Sequence, residues 1–429
     1  MAGLTAAYKR ARAGAETIVL ERSHSPGGVV RTVRRDGFLL EAGPNTVRST
    51  PELAVLVEEL GLAPEMLVAS ARLPRYVDYH GRLHAVPMSP AALLTTGLLS
   101  LRAKGRLLAE PFQPGAPSEE ESVRDFFARR LGPEVADRLV APFISGIFAG
   151  DASRVSAGAA FPSLARWDRA HGSLLRGAIR ERRAAAPAKR KVGPRGLLSF
   201  RDGLVALPRA LARFLGDAFR PGTGAAAVSP GAGGWTVRGP AGEISADELI
   251  LAAPAAGAAE LVRPFDPEAS DALAGIPHPP LAVLHLAWPL SALPRPLEGF
   301  GHLVVPDPSR RILGAVWSSS LFPGRAPAGQ ALLTVFLGGA RDPEALTLPD
   351  EALVCAAASD LRSEGLVRGE PRLVMLTRWE RAIPQYERGH LRRMDALSRA
   401  EARWPGLKFL GNYRGGIAVG DVVRSALAV

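Results

Sequence analysis

Apolar residues recur at helical spacing over residues 3–13, an alanine-rich stretch that Gly14 can stop by adopting the left-handed conformation. A short apolar run over 17–20 ends at Glu21 and predicts a buried strand. Ser25-Pro26-Gly27-Gly28 reads as a turn that only small residues make, and residues 31–35 and 38–41 predict a β-hairpin across Asp36-Gly37, leading into Gly43-Pro44-Asn45. A short helix is predicted over 51–60, and a second hairpin joins 72–79 to 83–86 across His80-Gly81. From there to about residue 200 the period is helical, over 93–108, 120–130, 133–148 and 164–183, with prolines and glycines between.

The second half alternates differently. A helix over 203–215 precedes an exposed strand at 235–238 and a buried one at 248–253. Strand-like segments at 281–287, 302–305, 312–317, 332–337 and 373–377 then predict a largely antiparallel sheet, with helices at 351–364 and 390–403 inside or beside it. A last strand at 408–410 leads into Gly411 and a helix over 422–427. No solenoid repeat is present. The expected fold is mixed α/β (α+β): a Rossmann-like parallel sheet, an antiparallel sheet and a helical insert. At 429 residues two or three interlocked domains are expected. The parallel-sheet domain is drawn from 1–75, 201–265 and 404–429, the insert from 83–200 and the antiparallel domain from 270–400.

Composition narrows the chemistry. Cys355 is the single cysteine, which excludes an intramolecular disulfide, a CxxC pair and a cysteine-rich zinc site and fits a reducing compartment. The start is neither signal nor transit peptide, and no apolar run reaches the roughly 18 residues needed to span a bilayer. A soluble or membrane-surface protein is expected. The formal charge is +11, and residues 166–201 alone hold nine Arg and two Lys against two acidic residues. Such a segment suits anionic lipid or nucleic acid, and equally a solvated loop in an arginine-rich proteome. Residues 180–191 hold no aromatic to stack on bases, so lipid ranks above nucleic acid and no nucleic-acid partner is expected. The apolar stretches 93–101 and 143–148 mark the insert as the membrane-facing part.

Gly3 begins the first helix, and Glu21 ends the following strand eighteen residues later. That is the separation between the third glycine of GxGxxG and the acidic residue that binds a ribose hydroxyl. Counting back, the second glycine falls immediately before Met1, so the first strand and phosphate-binding turn are expected upstream of a misplaced initiation codon. Taken alone, this half motif fits an ordinary αβ unit equally well.

The run from Glu21 through Gly27-Gly28-Val29-Val30-Arg31 resembles the second fingerprint of flavin amine oxidases. Gly43-Pro44-Asn45-Thr46, Arg75-Tyr76 before residues 81–87, residues 130–135, Gly146-Ile147-Phe148-Ala149-Gly150-Asp151 and Phe161-Pro162-Ser163-Leu164 narrow the likeness. Gly299-Phe300-Gly301-His302-Leu303, Leu337-Gly338-Gly339, Ile383-Pro384-Gln385-Tyr386 and Gly416-Ile417-Ala418-Val419 continue it. In order and spacing these resemble the protoporphyrinogen oxidase family over essentially the whole chain.

The resemblance implies FAD bound against Gly3, Glu21, Arg22, Gly27, Gly28, Val29, Arg31 and the turn Gly43, Pro44, Asn45, Thr46. It implies a backbone contact from Val228 to adenine, Trp379 beside the flavin, and Gly411, Ile417, Ala418 and Val419 as the C-terminal flavin turn. The helix after that turn would favour negative charge on the reduced flavin, although a plain helix cap reads the same way. For the substrate pocket the family points to Arg75, Gly146, Phe300, Leu303, Val316 and Phe336. A macrocycle with carboxylate side chains needs apolar walls and one or two cations, and Arg75 can pair with a propionate. Without the resemblance, Arg75 reads as a surface arginine, Gly146 as a helix-packing glycine, and Leu303, Val316 and Phe336 as sheet core.

No Ser/His/Asp arrangement, carboxylate pair or histidine metal cluster stands out, which is compatible with a cofactor that carries the redox step. The resemblance implies oxidation of protoporphyrinogen IX to protoporphyrin IX by three hydride transfers to flavin N5. Molecular oxygen is the implied acceptor and hydrogen peroxide the by-product, in porphyrin biosynthesis at the cytoplasmic face of the cell membrane. Coproporphyrinogen III oxidation stays open beside it, as does a peripheral membrane protein that has lost flavin. An amine oxidase fits less well, because the tail has no cysteine to attach flavin and no evident aromatic cage.

Overall fold

Strand β14 (Leu281–Pro289) is buried at every residue but the last, because it lies inside the largest sheet with both faces covered. The computed structural model, which describes every residue except 71, 114, 116–119, 185–195 and 232, orders that seven-stranded sheet as follows. β18 (Arg372–Trp379) lies at one edge, then β14, β17 (Gln330–Gly338), β16 (Ile312–Val316), β15 (Gly301–Val304), β6 (Arg75–Tyr79) and β7 (Arg82–Ala85). Every neighbouring pair is antiparallel except β15 with β6, so the sheet expected from residues 281–377 is present. One face packs on the helix Asp350–Ser363, whose Leu353, Ala357 and Leu361 share a core with Leu284, Leu333 and Val335. The hairpin β6–β7 is a long-range recruit to this sheet, through the pairing of Arg75–Asp78 with Gly301–Val304.

The parallel part is built from three-residue strands. β1 (Val19–Glu21) pairs with β9 (Phe219–Pro221), and β13 (Leu249–Leu251) with β19 (Leu407–Phe409). The N-terminal helix Ala2–Arg12 bridges two cores. Leu4, Ala7 and Tyr8 pack with the helix Ala206–Leu215, while Ala2 and Ala6 meet Leu410, Val422 and Ala426. Beside them stand the hairpin β2 (Thr32–Arg35) and β3 (Phe38–Glu41) and the meander β10 (Ala227–Gly231), β11 (Gly234–Gly239) and β12 (Gly242–Ala246). The strand expected to be exposed at 235–238 is buried on one face, because alternation turns Trp235 onto Phe265 and Trp404.

The insert corrects two expected helices. Residues 93–108 form separate helices, Pro90–Thr95 and Leu101–Leu108, the second capped at its N-terminus by the Ser100 hydroxyl. The stretch 164–183 splits into Pro162–His171 and Leu174–Ala184 at Gly172, whose φ of +61° ends the first helix. Residues 133–148 do stay helical, through a π-turn at Ala136–Val140. The segment 83–200 also begins and ends in strand, in β7 and β8 (Gly196–Phe200). β8 lies between β4 (Val47–Arg48) and β5 (Met66–Ser70). Lys189, Arg190 and Lys191 of the basic stretch lie outside the described residues. Among the described residues, no helix is long and apolar enough to cross a membrane.

Candidate active site

A cavity of about 2570 Å³ lies between the short parallel strands and the seven-stranded sheet, and every residue that the sequence assigns to FAD or to the substrate pocket lines it. At one end Glu21 finishes β1, its carboxylate accepting 2.8 Å hydrogen bonds from the backbone N–H and hydroxyl of Ser23. Gly3 brings its helix close to β13's continuation, where an added Cβ would stand 3.2 Å from the Cβ of Ala252. Arg22 lines the cavity beside it, and Val228 on β10 walls the same end.

The glycine turn is built for close backbone approach. Gly27 has φ +110°, and a Cβ there would lie 2.8 Å from both Pro208 Cγ and Val30 O. Gly28 has φ +63° with open space above its Cα, while a Cβ on Gly43 would stand 2.0 Å from Val29 O. The two turns therefore pack backbone to backbone and leave Gly28 facing the cavity with no side chain in the way. Pro44, Asn45 and Thr46 continue the wall, Asn45 donating to Gly43 O at 3.2 Å.

The C-terminal helix runs Val419–Ala428, so Val419 is its first residue and not part of the preceding turn, and no side chain caps it. Its start, with Ile417 and Ala418, opens on the cavity. Gly411 is held close by Tyr413, 2.4 Å from where a Cβ would stand. Trp379 donates its indole N–H to Ala42 O at 2.9 Å, and the Arg31 guanidinium lies 5.9 Å from that ring's centre. An open glycine turn, an uncapped helix start and an acidic residue at a strand end fit the phosphates, isoalloxazine and ribose of a dinucleotide such as FAD.

The other end is apolar with cations. Arg75, half-buried on β6, lies 5.7 Å from the centre of the Phe300 ring, and no carboxylate among the described residues pairs with it. Burial, and then the nearby charge of Arg48, push its pKa down from the ordinary arginine value. Gly146, on the helix Ala141–Phe148, sits so close to β15 that a Cβ would fall 2.1 Å from Leu303 Cδ2. Val316 and Phe300 pack with Leu321 and Phe322, whereas Phe336 packs with Leu281, Leu313 and Trp379 and joins this end to the indole wall.

Behind the apolar wall lies a buried charged cluster that sequence reasoning missed. His302 accepts at Nδ1 from the Trp317 indole at 3.3 Å and presents Nε2 to Glu364 at 2.9 Å. Arg310 meets Asp78 at 3.2 Å, Asp360 at 3.0 Å and Glu364. The cluster locks β15 and β16, which carry Leu303 and Val316. His302 stands in a motif already singled out, but nothing local marks Arg310 as its neighbour. Arg48 and Arg381 also line the cavity unforeseen.

The sequence profile described as flavin-containing amine oxidoreductase matches residues 1–429. The chain belongs to that family. A chloroplastic protoporphyrinogen oxidase of Nicotiana tabacum is 34% identical over 96% of this chain and 80% of its own length. A coproporphyrinogen III oxidase of Bacillus subtilis is 28% identical over 96% of this chain and 90% of its own. A crystal structure assigned as a protoporphyrinogen oxidase from Exiguobacterium sp. 255-15 superposes with a TM-score of 0.81 at 25% identity, covering 100% of this chain and 95% of that one. This flavin-containing amine oxidoreductase is an FAD-dependent enzyme whose relatives include the protoporphyrinogen oxidases.

Proposed function

We propose that the enzyme oxidises protoporphyrinogen IX to protoporphyrin IX, with molecular oxygen as the final acceptor and hydrogen peroxide as by-product. The observation that carries this reading is Arg75, a half-buried guanidinium with no counter-ion among the described residues, beside Phe300 in a largely apolar cavity end. Bound FAD supplies the hydride-accepting centre. The chain's own task is then to orient the macrocycle: Arg75 fixes one carboxylate, and Phe300, Leu303, Val316 and Phe336 press on the ring faces. The backbone carbonyl of Gly146, which lines the same cavity against Leu303, is the acceptor assigned to a pyrrole N–H in this reading. Oxidation of coproporphyrinogen III is a second reading, supported by the coproporphyrinogen III oxidases among the relatives.

In this reading residues 1–75, 201–265 and 404–429 hold FAD, 270–400 carry the substrate wall and 83–200 form the insert. Met88, Leu101, Leu108 and Phe112 of that insert are exposed, which supports a peripheral contact with the cytoplasmic membrane surface.

Arg75→Ala tests the central claim. Loss of a charge-assisted hydrogen bond costs about 1.5–3 kcal/mol, so KM should rise roughly tenfold to a hundredfold. Turnover at saturation should change less, since the anchor is remote from the reacting carbon. Arg75→Lys should recover part of the loss, because an ammonium keeps the charge without the planar fork. Porphyrin fluorescence follows the reaction, with flavin content measured alongside. Full flavin occupancy with an unchanged KM would remove the anchor from the reading.

A further inference from the structure

Arg48 ends β4, the short strand that pairs with β8, and its side chain is exposed to the cavity that Arg75 also lines. Its backbone carbonyl would stand 3.2 Å from a Cβ on Gly420, so this residue lies between the start of the C-terminal helix and the substrate end. Among the described residues neither Arg48, which is exposed, nor the half-buried Arg75 has an ion-pair partner, whereas Arg310 and Arg325, which are more deeply buried, do. Arg48 pairs across β4 and β8 with Leu197, and Leu197 packs on the same apolar cluster as Phe300, the ring beside Arg75. The charge of Arg48 also lowers the proton affinity of Arg75, after the larger effect of burial.

Two neighbouring cations on one cavity wall repel each other, and in a partly desolvated site that repulsion is poorly screened. One carboxylate would neutralise one of them and leave the other. Two carboxylates held side by side would neutralise both.

We propose that Arg48 and Arg75 form a two-point clamp that takes one each of the adjacent carboxylate side chains of the tetrapyrrole, so that the site selects a dianion. This rests on the reading of Arg75 as a substrate anchor and adds to it a second cation and a requirement for paired acids. The clamp fixes the rotation of the macrocycle in its own plane, which one anchor alone leaves free, and so decides which bridging carbon faces the cofactor.

The test uses the holoenzyme and three probes: protoporphyrin IX, its monomethyl ester and its dimethyl ester, each titrated by fluorescence quenching. Variants are Arg48→Gln, Arg48→Lys, Arg75→Gln and the Arg48→Gln/Arg75→Gln double, with flavin content and melting temperature measured for each. Each glutamine variant should weaken diacid binding about tenfold and the pair about a hundredfold. Arg48→Lys should recover part of the loss, and the dimethyl ester should not distinguish any variant from the parent. Retained diacid affinity in Arg48→Gln, with affinity lost in Arg75→Gln, overturns the clamp and leaves the single anchor standing. Loss of flavin from Arg48→Gln with diacid affinity unchanged overturns it too, and assigns Arg48 to a cofactor phosphate. Retained affinity in both single variants removes the anchor reading itself, and the clamp with it.

Discussion

The insert and the cavity wall use the same residue in opposite ways. In the insert, Arg130 is fully buried on the helix Val123–Leu131, 2.9 Å from Glu110 and 3.1 Å from Asp168, and it also donates to the carbonyls of Gln113 and Gly172. Its neighbour Arg129 meets Glu121 and Asp168, each at 2.7 Å. On the cavity wall Arg75 faces an aromatic ring and Arg48 faces open space, with no acid beside either among the described residues. In a chain with 53 basic residues the count of arginines separates nothing. What separates them is whether the fold itself provides the counter-charge. A buried arginine with its acids belongs to the scaffold, whereas a half-buried one without them, such as Arg75, keeps its charge free for the ligand role proposed above.

The largest effect should come from breaking the paired side of this contrast. Arg130→Met leaves Glu110 and Asp168 buried with less compensation, which typically costs about 3–5 kcal/mol. Denaturant unfolding should show that loss, while flavin content and KM of the folded fraction stay near those of the parent. A cost under about 1 kcal/mol, the range of exposed pairs, would mean that the insert network is not what orders its helices.

A second test concerns buried groups with no counter-charge at all. Burial pulls the pKa of His285 and of His390 down to about 4, backbone hydrogen bonding opposing the shift in both and Arg393 adding to it at His390. In the unfolded chain each titrates near 6.5. Between these values the unfolded state binds more protons than the folded one, so stability is full above about pH 7 and falls as the pH drops from 6.5 towards 4. The loss is on the order of 2–3 kcal/mol per histidine. His390→Phe keeps the stacking on Tyr386 and should flatten part of the acid limb. Unfolding curves at pH 4.5 and 7.5 that shift equally in parent and variant would show that His390 does not titrate on unfolding.

Much of the scaffold was legible because its signals are local. The first helix, the turn at Gly27-Gly28 and the hairpin across Asp36-Gly37 are written in period and punctuation within a few residues. The breaks at Thr96, where the backbone turns extended, and at Gly172 were not, because apolar spacing continues across each and only the backbone conformation ends the helix. β8 was hidden behind the basic run, and the parallel pairing of β6 with β15 joins residues more than two hundred positions apart. The site divides the same way. Its glycine turns and Arg75 belong to contiguous motifs, and all of them line one cavity. Arg48 carried no mark in sequence, because being unpaired is a property of three-dimensional surroundings. The same holds for Arg310, whose three acids arrive from β6 and from the 360–364 region.

The smallest effect sharpens the contrast most, since it changes exposure while holding residue and helix constant. Arg124 lies six positions before Arg130 on the same helix and binds Asp137 through two hydrogen bonds, Nε to Oδ1 at 2.8 Å and Nη2 to Oδ2 at 3.2 Å. Its geometry is as good as that of the buried pairs, but the two side chains are 45% and 44% exposed. Water therefore solvates both ions in the folded and unfolded states, and the Coulomb gain is offset by the entropy of holding two side chains in place. Arg124→Ala should cost only about 0.2–1 kcal/mol, and less again at 1 M salt, where the screening length falls to roughly 3 Å. Arg124→Ala combined with Asp137→Ala closes a double-mutant cycle whose coupling should equal that small value. Arg130→Met under the same conditions should be insensitive to salt. A coupling energy above about 2 kcal/mol at Arg124 would show that pair geometry, and not burial, sets the worth of an arginine in this insert.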